Sequence, residues 1–217
     1  MSAADRRRTI VDGIAHAAKL ARRDPAEIQL IAVSKGRSEG EIEALIETGQ
    51  RDFGENRVQE VLEKWPALRD RYPHVRLHGI GRLQSNKAVE AVRLFDVIHS
   101  LDRGSLLDAL AKEAEKAKRF PAVHVQVNIG EEEQKGGCAI AEVGGLVDAV
   151  RASTLPLAGL MAIPPLGVEP SPYFALLAKL ARRHDVAGLS MGMSSDYKAA
   201  VMLGATAVRV GTALFED

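Results

Sequence analysis

The stretch Ile28-Gln29-Leu30-Ile31-Ala32-Val33-Ser34-Lys35-Gly36 decides how this chain folds. It opens as an apolar, β-branched run of strand length and stops at a lysine followed by a glycine. The same texture returns at 50–53, 75–80, 97–99, 122–128, 157–161, 186–189 and 207–210. Between these runs lie amphipathic stretches rich in Ala, Glu, Leu, Lys and Arg, at 39–48, 57–68, 87–93, 105–119, 141–152, 172–183 and 196–203. Strand–helix alternation at this spacing implies parallel βαβ units. Eight of them in this length predict an α/β protein with a single (β/α)8 barrel. An open doubly wound sheet is the alternative, but no Gly-x-Gly-x-x-Gly turn follows the first strand. Ile10, Val11, Ile14, Ala17, Ala18 and Leu20 recur at helical spacing ahead of the first strand. They predict a helix that covers one barrel end or joins the outer ring.

The 217 residues suit one domain spanning 1–217, with 46 % hydrophobic and 27 % charged side chains. Basic and acidic residues balance at 29 each, so no global field for nucleic acid or an anionic membrane exists. Neither is an expected partner. Arg6-Arg7-Arg8 reads as the solvated face of the first helix rather than as a nucleic-acid patch. No apolar stretch has the length of a membrane span. Cys138 stands alone, so no intramolecular disulfide can form and a cytoplasmic location fits. The proline-dense run 164–172 reads as a stiff loop after the sixth strand.

In such a barrel, function gathers at the carboxyl ends of the strands. Lys35 falls there after strand one, Asn56 after strand two, Met191 and Ser194 after strand seven, and Arg209, Gly211 and Thr212 after strand eight. A lysine placed where a buried strand runs out is costly unless something uses it. Held away from water, such an amine condenses with an aldehyde. The plain alternative is a lysine that snorkels to solvent.

The loops after strands seven and eight are the usual phosphate site of these barrels. Gly192 permits close backbone approach, and Ser194 offers a hydroxyl while capping the next helix, with Asp196 in its first turn. Gly211 and Thr212 add N–H groups and a second hydroxyl. Arg209 shares a strand face with Gly211, which suits a phosphate clamp or a donor to a heteroaromatic nitrogen; pairing with Glu55 is equally compatible. Asn56 suits either a phenolic oxygen or the N-cap of a helix beginning at Arg57. Met161, Met191 and Met193 are candidates to pad a planar ring or to fill core. His78 and Asn128 are expected to point into the barrel, and the remaining histidines form no metal-ligand pattern. An amine at one wall and an anion cradle at the other describe a ligand with both an aldehyde and a phosphate. Pyridoxal 5′-phosphate (PLP) and phosphorylated sugars both qualify.

Seven segments, in order, resemble the pyridoxal phosphate homeostasis protein family (YggS/PROSC). They are Ala32-Val33-Ser34-Lys35, Asp52-Phe53-Gly54-Glu55-Asn56, Leu83-Gln84-Ser85-Asn86-Lys87, Gln126-Val127-Asn128-Ile129, Gly159-Leu160-Met161-Ala162-Ile163-Pro164, Ser190 to Asp196, and Arg209 to Phe215. The resemblance implies a barrel like the N-terminal domain of alanine racemase. It implies PLP joined to Lys35 as a Schiff base, phosphate held by Ser194, Gly211 and Thr212, and Arg209 at the pyridine nitrogen. Arg57 and Arg82 depart from the family pattern and add positive charge to the rim, and the 134–138 segment matches only loosely.

The implied role is a PLP carrier without substantial turnover, monomeric, serving PLP-dependent apo-enzymes. An amino-acid racemase is the alternative, and an aldolase that never uses PLP is a third. Racemisation needs a proton donor or acceptor on each face of the reacting carbon. Tyr72, Tyr173 and Tyr197 fall at no strand end, and five residues follow Thr212. No catalytic residue and no metal ligand is expected.

Overall fold

A computed structural model describes residues 1–216. Its strands are β1 (Gln29–Val33), β2 (Asp52–Glu55), β3 (Arg76–Gly79), β4 (Val97–Leu101), β5 (Ala122–Val127), β6 (Leu157–Ala162), β7 (Leu189–Ser190) and β8 (Ala207–Val210). They pair in parallel and in chain order, and β8 returns to β1 with Ile31 opposite Arg209. That pairing closes the barrel and excludes the open sheet. The helices are α1 (Ala3–Leu20), α2 (Glu39–Glu47), α3 (Val58–Arg71), α4 (Ala88–Leu94), α5 (Gly104–Ala117), α6 (Val143–Ala152), α7 (Ser171–Arg183), α8 (Tyr197–Met202) and α9 (Thr212–Phe215).

Strand alternation sorts the side chains into two environments. Ala32, Phe53, Leu77, Ile98, Val125, Leu160 and Val208 are all fully buried. Their outward direction sets them beneath the helices, where Phe53 meets Trp65 of α3 with ring centroids 5.3 Å apart. The opposite face fills the barrel, and there the chain departs from the usual bulky aliphatic layers. His78, His99, Ser190 and Arg209 are buried at 3 % exposure or less, and His124 stacks on His99 at 4.2 Å.

Two strands start two or more residues later than expected, each for a local reason. β2 starts at Asp52 rather than at 50 because the Gln50 amide serves as a brace, donating to the carbonyls of Leu30 and Asp52. The shift brings Glu55 into the strand. β7 shrinks to two residues because Gly188 lies flat against β6: a Cβ there would stand 1.9 Å from the Ala158 carbonyl oxygen. Only past this contact does the chain reach its ladder partners.

Helix α1 takes a place in the outer ring. A capping box between Ser2 and Asp5 starts it, and Ile10, Ile14, Ala17 and Ala18 are buried, on the side packed against α8 and α9. Its arginines are structural fasteners: Arg6 donates to the Leu214 carbonyl, Arg7 to Gln50, and Arg8 to Asp5. Among the described residues no helix is long and apolar enough to cross a membrane, and no cluster of His, Cys, Asp and Glu could hold a metal ion.

Candidate functional site

The strands' carboxyl ends open on a cleft of about 710 Å³. Lys35, Asn56, Ser194, Arg209, Gly211 and Thr212 all line it, so six of the seven expected residues meet at one rim. Met191 does not. Its side chain is fully buried beneath the rim, and Met193 lines the cleft instead. The alternation is simple: Ser190 faces the barrel interior, so Met191 faces the opposite way, into the hydrophobic core, and Gly192, at φ +94°, turns the chain before Met193.

Lys35 corrects one expectation. It is solvent-exposed, not desolvated, because β1 ends at Val33 and Gly36 (φ +69°) lifts the turn onto the rim. Its Nζ has no hydrogen-bond or ion-pair partner among the described residues, which leaves the amine available to a ligand in the cleft. The turn that carries it is firmly held. Lys64 of α3 donates to the carbonyls of Ser34 (3.0 Å) and Arg37 (3.5 Å), on either side of Lys35. Beneath the turn, Glu55 is fully buried, and its Oε1 receives the Ser34 hydroxyl, the Trp65 indole N–H and the Lys64 ammonium, each at 2.8 Å. Glu55 therefore supports the Lys35 turn and does not pair with Arg209.

Asn56 is not a helix cap: Arg57 occupies that position without a side-chain cap bond, and α3 begins one residue later. Asn56 is left on the cleft wall beside Arg82. Ser194 does not cap a helix either, since α8 begins only at Tyr197. Its hydroxyl accepts the Gly211 N–H at 3.3 Å and so ties the loop after β7 to the loop after β8. Asp196 closes the first loop from inside by accepting the Met193 N–H. The N–H groups of Ser194, Ser195 and Thr212 have no partner among the described residues. Three free donors and two hydroxyls, on the loops after β7 and β8, form a cradle for an anion.

Arg209 lies 3 % exposed at the floor of the cleft. One Nη donates to the Ser190 hydroxyl at 2.5 Å and the other to the Ala162 carbonyl at 3.0 Å, while Nε has no partner among the described residues. Burial lowers its pKa to about 10, so it remains a cation at neutral pH and a donor only. Lys87 and Lys135 are engaged elsewhere, with Glu90 and Glu132 respectively. Asn128, just past β5, holds its own loop by donating to the Glu132 carbonyl.

The grouping of His78, His99 and His124 escaped sequence reasoning. These residues belong to three successive strands, and only the shared inward parity of their positions hints at the cluster.

A (β/α)8 barrel with a lysine amine, a buried arginine and a two-loop anion cradle on one rim defines a class of phosphorylated-aldehyde-binding barrel. The family model for the alanine racemase N-terminal domain matches residues 11–217. The chain is 39 % identical over 203 residues to the pyridoxal phosphate homeostasis protein of Synechocystis sp., covering 89 % of this chain and 93 % of that one. It is similar, at 39 % identity and TM-score 0.80, to the PLP-bound structure of PipY from Synechococcus elongatus, covering 93 % and 99 % of the two chains. Alanine racemase from Corynebacterium glutamicum, 19 % identical, covers 94 % of this chain and 60 % of its own with TM-score 0.67, and shares the fold. The chain belongs to the alanine racemase N-terminal domain family and, within it, to the pyridoxal phosphate homeostasis proteins.

Proposed function

We propose that this protein binds PLP and serves its homeostasis, holding the cofactor and handing it on with little or no turnover of its own. The observation that carries the reading is the unpartnered Lys35 amine on the same cleft as the unpartnered N–H groups of Ser194, Ser195 and Thr212. PLP bound there supplies an aldehyde for amine capture and a conjugated ring. In this reading Lys35 Nζ forms the covalent link to the aldehyde carbon, releasing water. Ser194, Gly211 and Thr212 hold the phosphate, and Arg209 donates from below to the ring nitrogen. Asn56 offers its amide to the phenolic oxygen. Met191, buried in the core and absent from the cleft lining, takes no part in this reading. The structure of PipY with PLP bound, at 39 % identity, supports PLP as the ligand.

The carrier role rests on what lines the cleft. Lys35, Arg37, Arg82 and Arg209 are its titratable groups; among the described residues no Tyr, His, Cys, Asp or Glu lines it. A proton can therefore be exchanged on one face only, whereas racemisation needs both. A charged arginine at the ring nitrogen also weakens the ring as an electron sink. Residues 1–217 act in this proposal as one cytoplasmic, monomeric barrel domain whose partners are PLP and PLP-dependent apo-enzymes.

Two assays on the purified protein test this. Equilibrium dialysis against PLP is expected to give one tightly held equivalent per chain, lost in Lys35→Ala. Racemisation assays over the common amino acids are expected to stay at background. Turnover of a normal enzyme, about 1 s⁻¹ or more and abolished by Lys35→Ala, contradicts the carrier role.

A further inference from the structure

Arg209 is a buried cation with no carboxylate in ion-pair contact among the described residues, a costly arrangement unless its field is answered in another way. A file of hydrogen bonds runs from it through the barrel interior. Arg209 Nη1 donates to Ser190 Oγ at 2.5 Å. Ser190 Oγ lies 2.8 Å from His99 Nδ1, His99 Nε2 lies 3.0 Å from His78 Nδ1, and His78 Nε2 lies 3.0 Å from Asp52 Oδ1. The file crosses from β8 through β7, β4 and β3 to the first residue of β2, spanning the barrel from mouth to base.

Both ends fix its direction. Arg209 can only donate. Asp52 Oδ1 already accepts the Gln29 amide at 2.8 Å and so serves as an acceptor. A neutral His78 then presents Nε2–H to Asp52 and keeps Nδ1 as an acceptor. His99 gives Nε2–H to His78 and accepts the Ser190 hydroxyl proton on Nδ1. Every donor in this arrangement points toward Asp52. Burial, the neighbouring histidines and Arg209 all disfavour a charge on His99, which agrees with a neutral ring. Asp196 is the carboxylate whose charge favours the Arg209 cation directly; in a dry interior aligned bonds also polarise one another, which links Arg209 to Asp52 at the far end of the file.

We propose that Asp52, His78, His99 and Ser190 are positioning residues for Arg209, a directional donor file that fixes its guanidinium and sets the strength with which it donates to an aromatic ring nitrogen in the cleft. The inference rests on the PLP reading above. Breaking the file leaves the cradle and Lys35 untouched and alters only what Arg209 offers the ligand.

Two ligands separate this from a structural effect: PLP and 1-deazapyridoxal 5′-phosphate, in which carbon replaces the ring nitrogen. For Ser190→Ala, PLP affinity is expected to fall about tenfold, while affinity for the deaza analogue stays within about twofold of the parent protein. Asp52→Asn, which keeps an acceptor but removes the charge, is expected to fall in between for PLP alone. Equal loss for both ligands, or loss for neither, overturns the proposal. The second measurement needs no variant to fold and no ligand: ¹⁵N NMR of the histidine rings at neutral pH. Protons on Nε2 of both His78 and His99 are expected; a proton on His99 Nδ1, or two on His78, overturns the file. If the parent protein binds neither ligand, the PLP reading fails, and the ring spectra still decide the file.

Discussion

The Lys64 ammonium lies 2.8 Å from the fully buried Glu55 carboxylate and, with the same nitrogen, holds the carbonyl of Ser34, the residue before Lys35. One ion pair thus anchors α3 to the turn that presents the reactive amine. Lys64 is only 12 % exposed, so water screens the pair weakly. Removing one partner strands a buried charge, at a cost of about 3–5 kcal/mol.

Lys64→Met and Glu55→Ala should therefore each lower unfolding free energy by about 3–5 kcal/mol in urea titrations. The double variant should lose clearly less than the sum, because both changes remove the same pair. Simple additivity contradicts the pairing.

The barrel's interior histidines make stability depend on pH. Burial first, then the neighbouring His78 and Arg209, hold His124 down to about 3; burial, His124, His78 and Arg209 hold His99 well below 6.5. The unfolded chain takes up these protons near 6.5, while the folded chain refuses them. Stability is thus complete above that value and is lost as pH falls toward the folded values. Each histidine contributes about tenfold in the unfolding equilibrium per pH unit. Asp96 adds to acid lability only below its ordinary 3.8. Burial works against its ionisation, but the Leu77 N–H, Arg69 and Arg119 outweigh that and hold its pKa down. Urea titrations at about pH 7.5 and about pH 5 should show a clear loss at the lower value, and a flat profile contradicts the neutral, buried histidines.

Much of the architecture was legible because its signals are local. β-branched runs and amphipathic stretches placed the strands and helices within a few residues, and strand-end positions gathered Lys35, Asn56, Ser194, Arg209, Gly211 and Thr212 on one rim. What escaped depends on contacts between distant segments. His78, His99 and His124 come together only through barrel closure, and Glu55 finds Ser34, Lys64 and Trp65 only through the register of β1, β2 and α3. Asn56 and Ser194 read as helix caps because polar residues ahead of an amphipathic run usually are. The helices start later than that reading needs, α3 at Val58 and α8 at Tyr197, which leaves both residues to the cleft. The burial expected of Lys35 failed although β1 ends at Val33 as expected, because the turn after it carries Lys35 onto the exposed rim.

Gly188 tests the closure itself. A methyl group there would meet the Ala158 carbonyl at 1.9 Å, a clash with backbone that cannot swing aside. Gly188→Ala is expected to cost about 1–3 kcal/mol or more by pushing β7 off β6. Thermal melts read this directly, and an unchanged midpoint contradicts the close approach.

The most direct test of the account is covalent. The protein, loaded with PLP, is reduced with borohydride, digested and mapped by mass spectrometry. A pyridoxyl mass on Lys35 alone, together with loss of yellow colour in Lys35→Ala, is the predicted result. An unmodified Lys35, or a label carried by Lys87 or Lys135 instead, contradicts it.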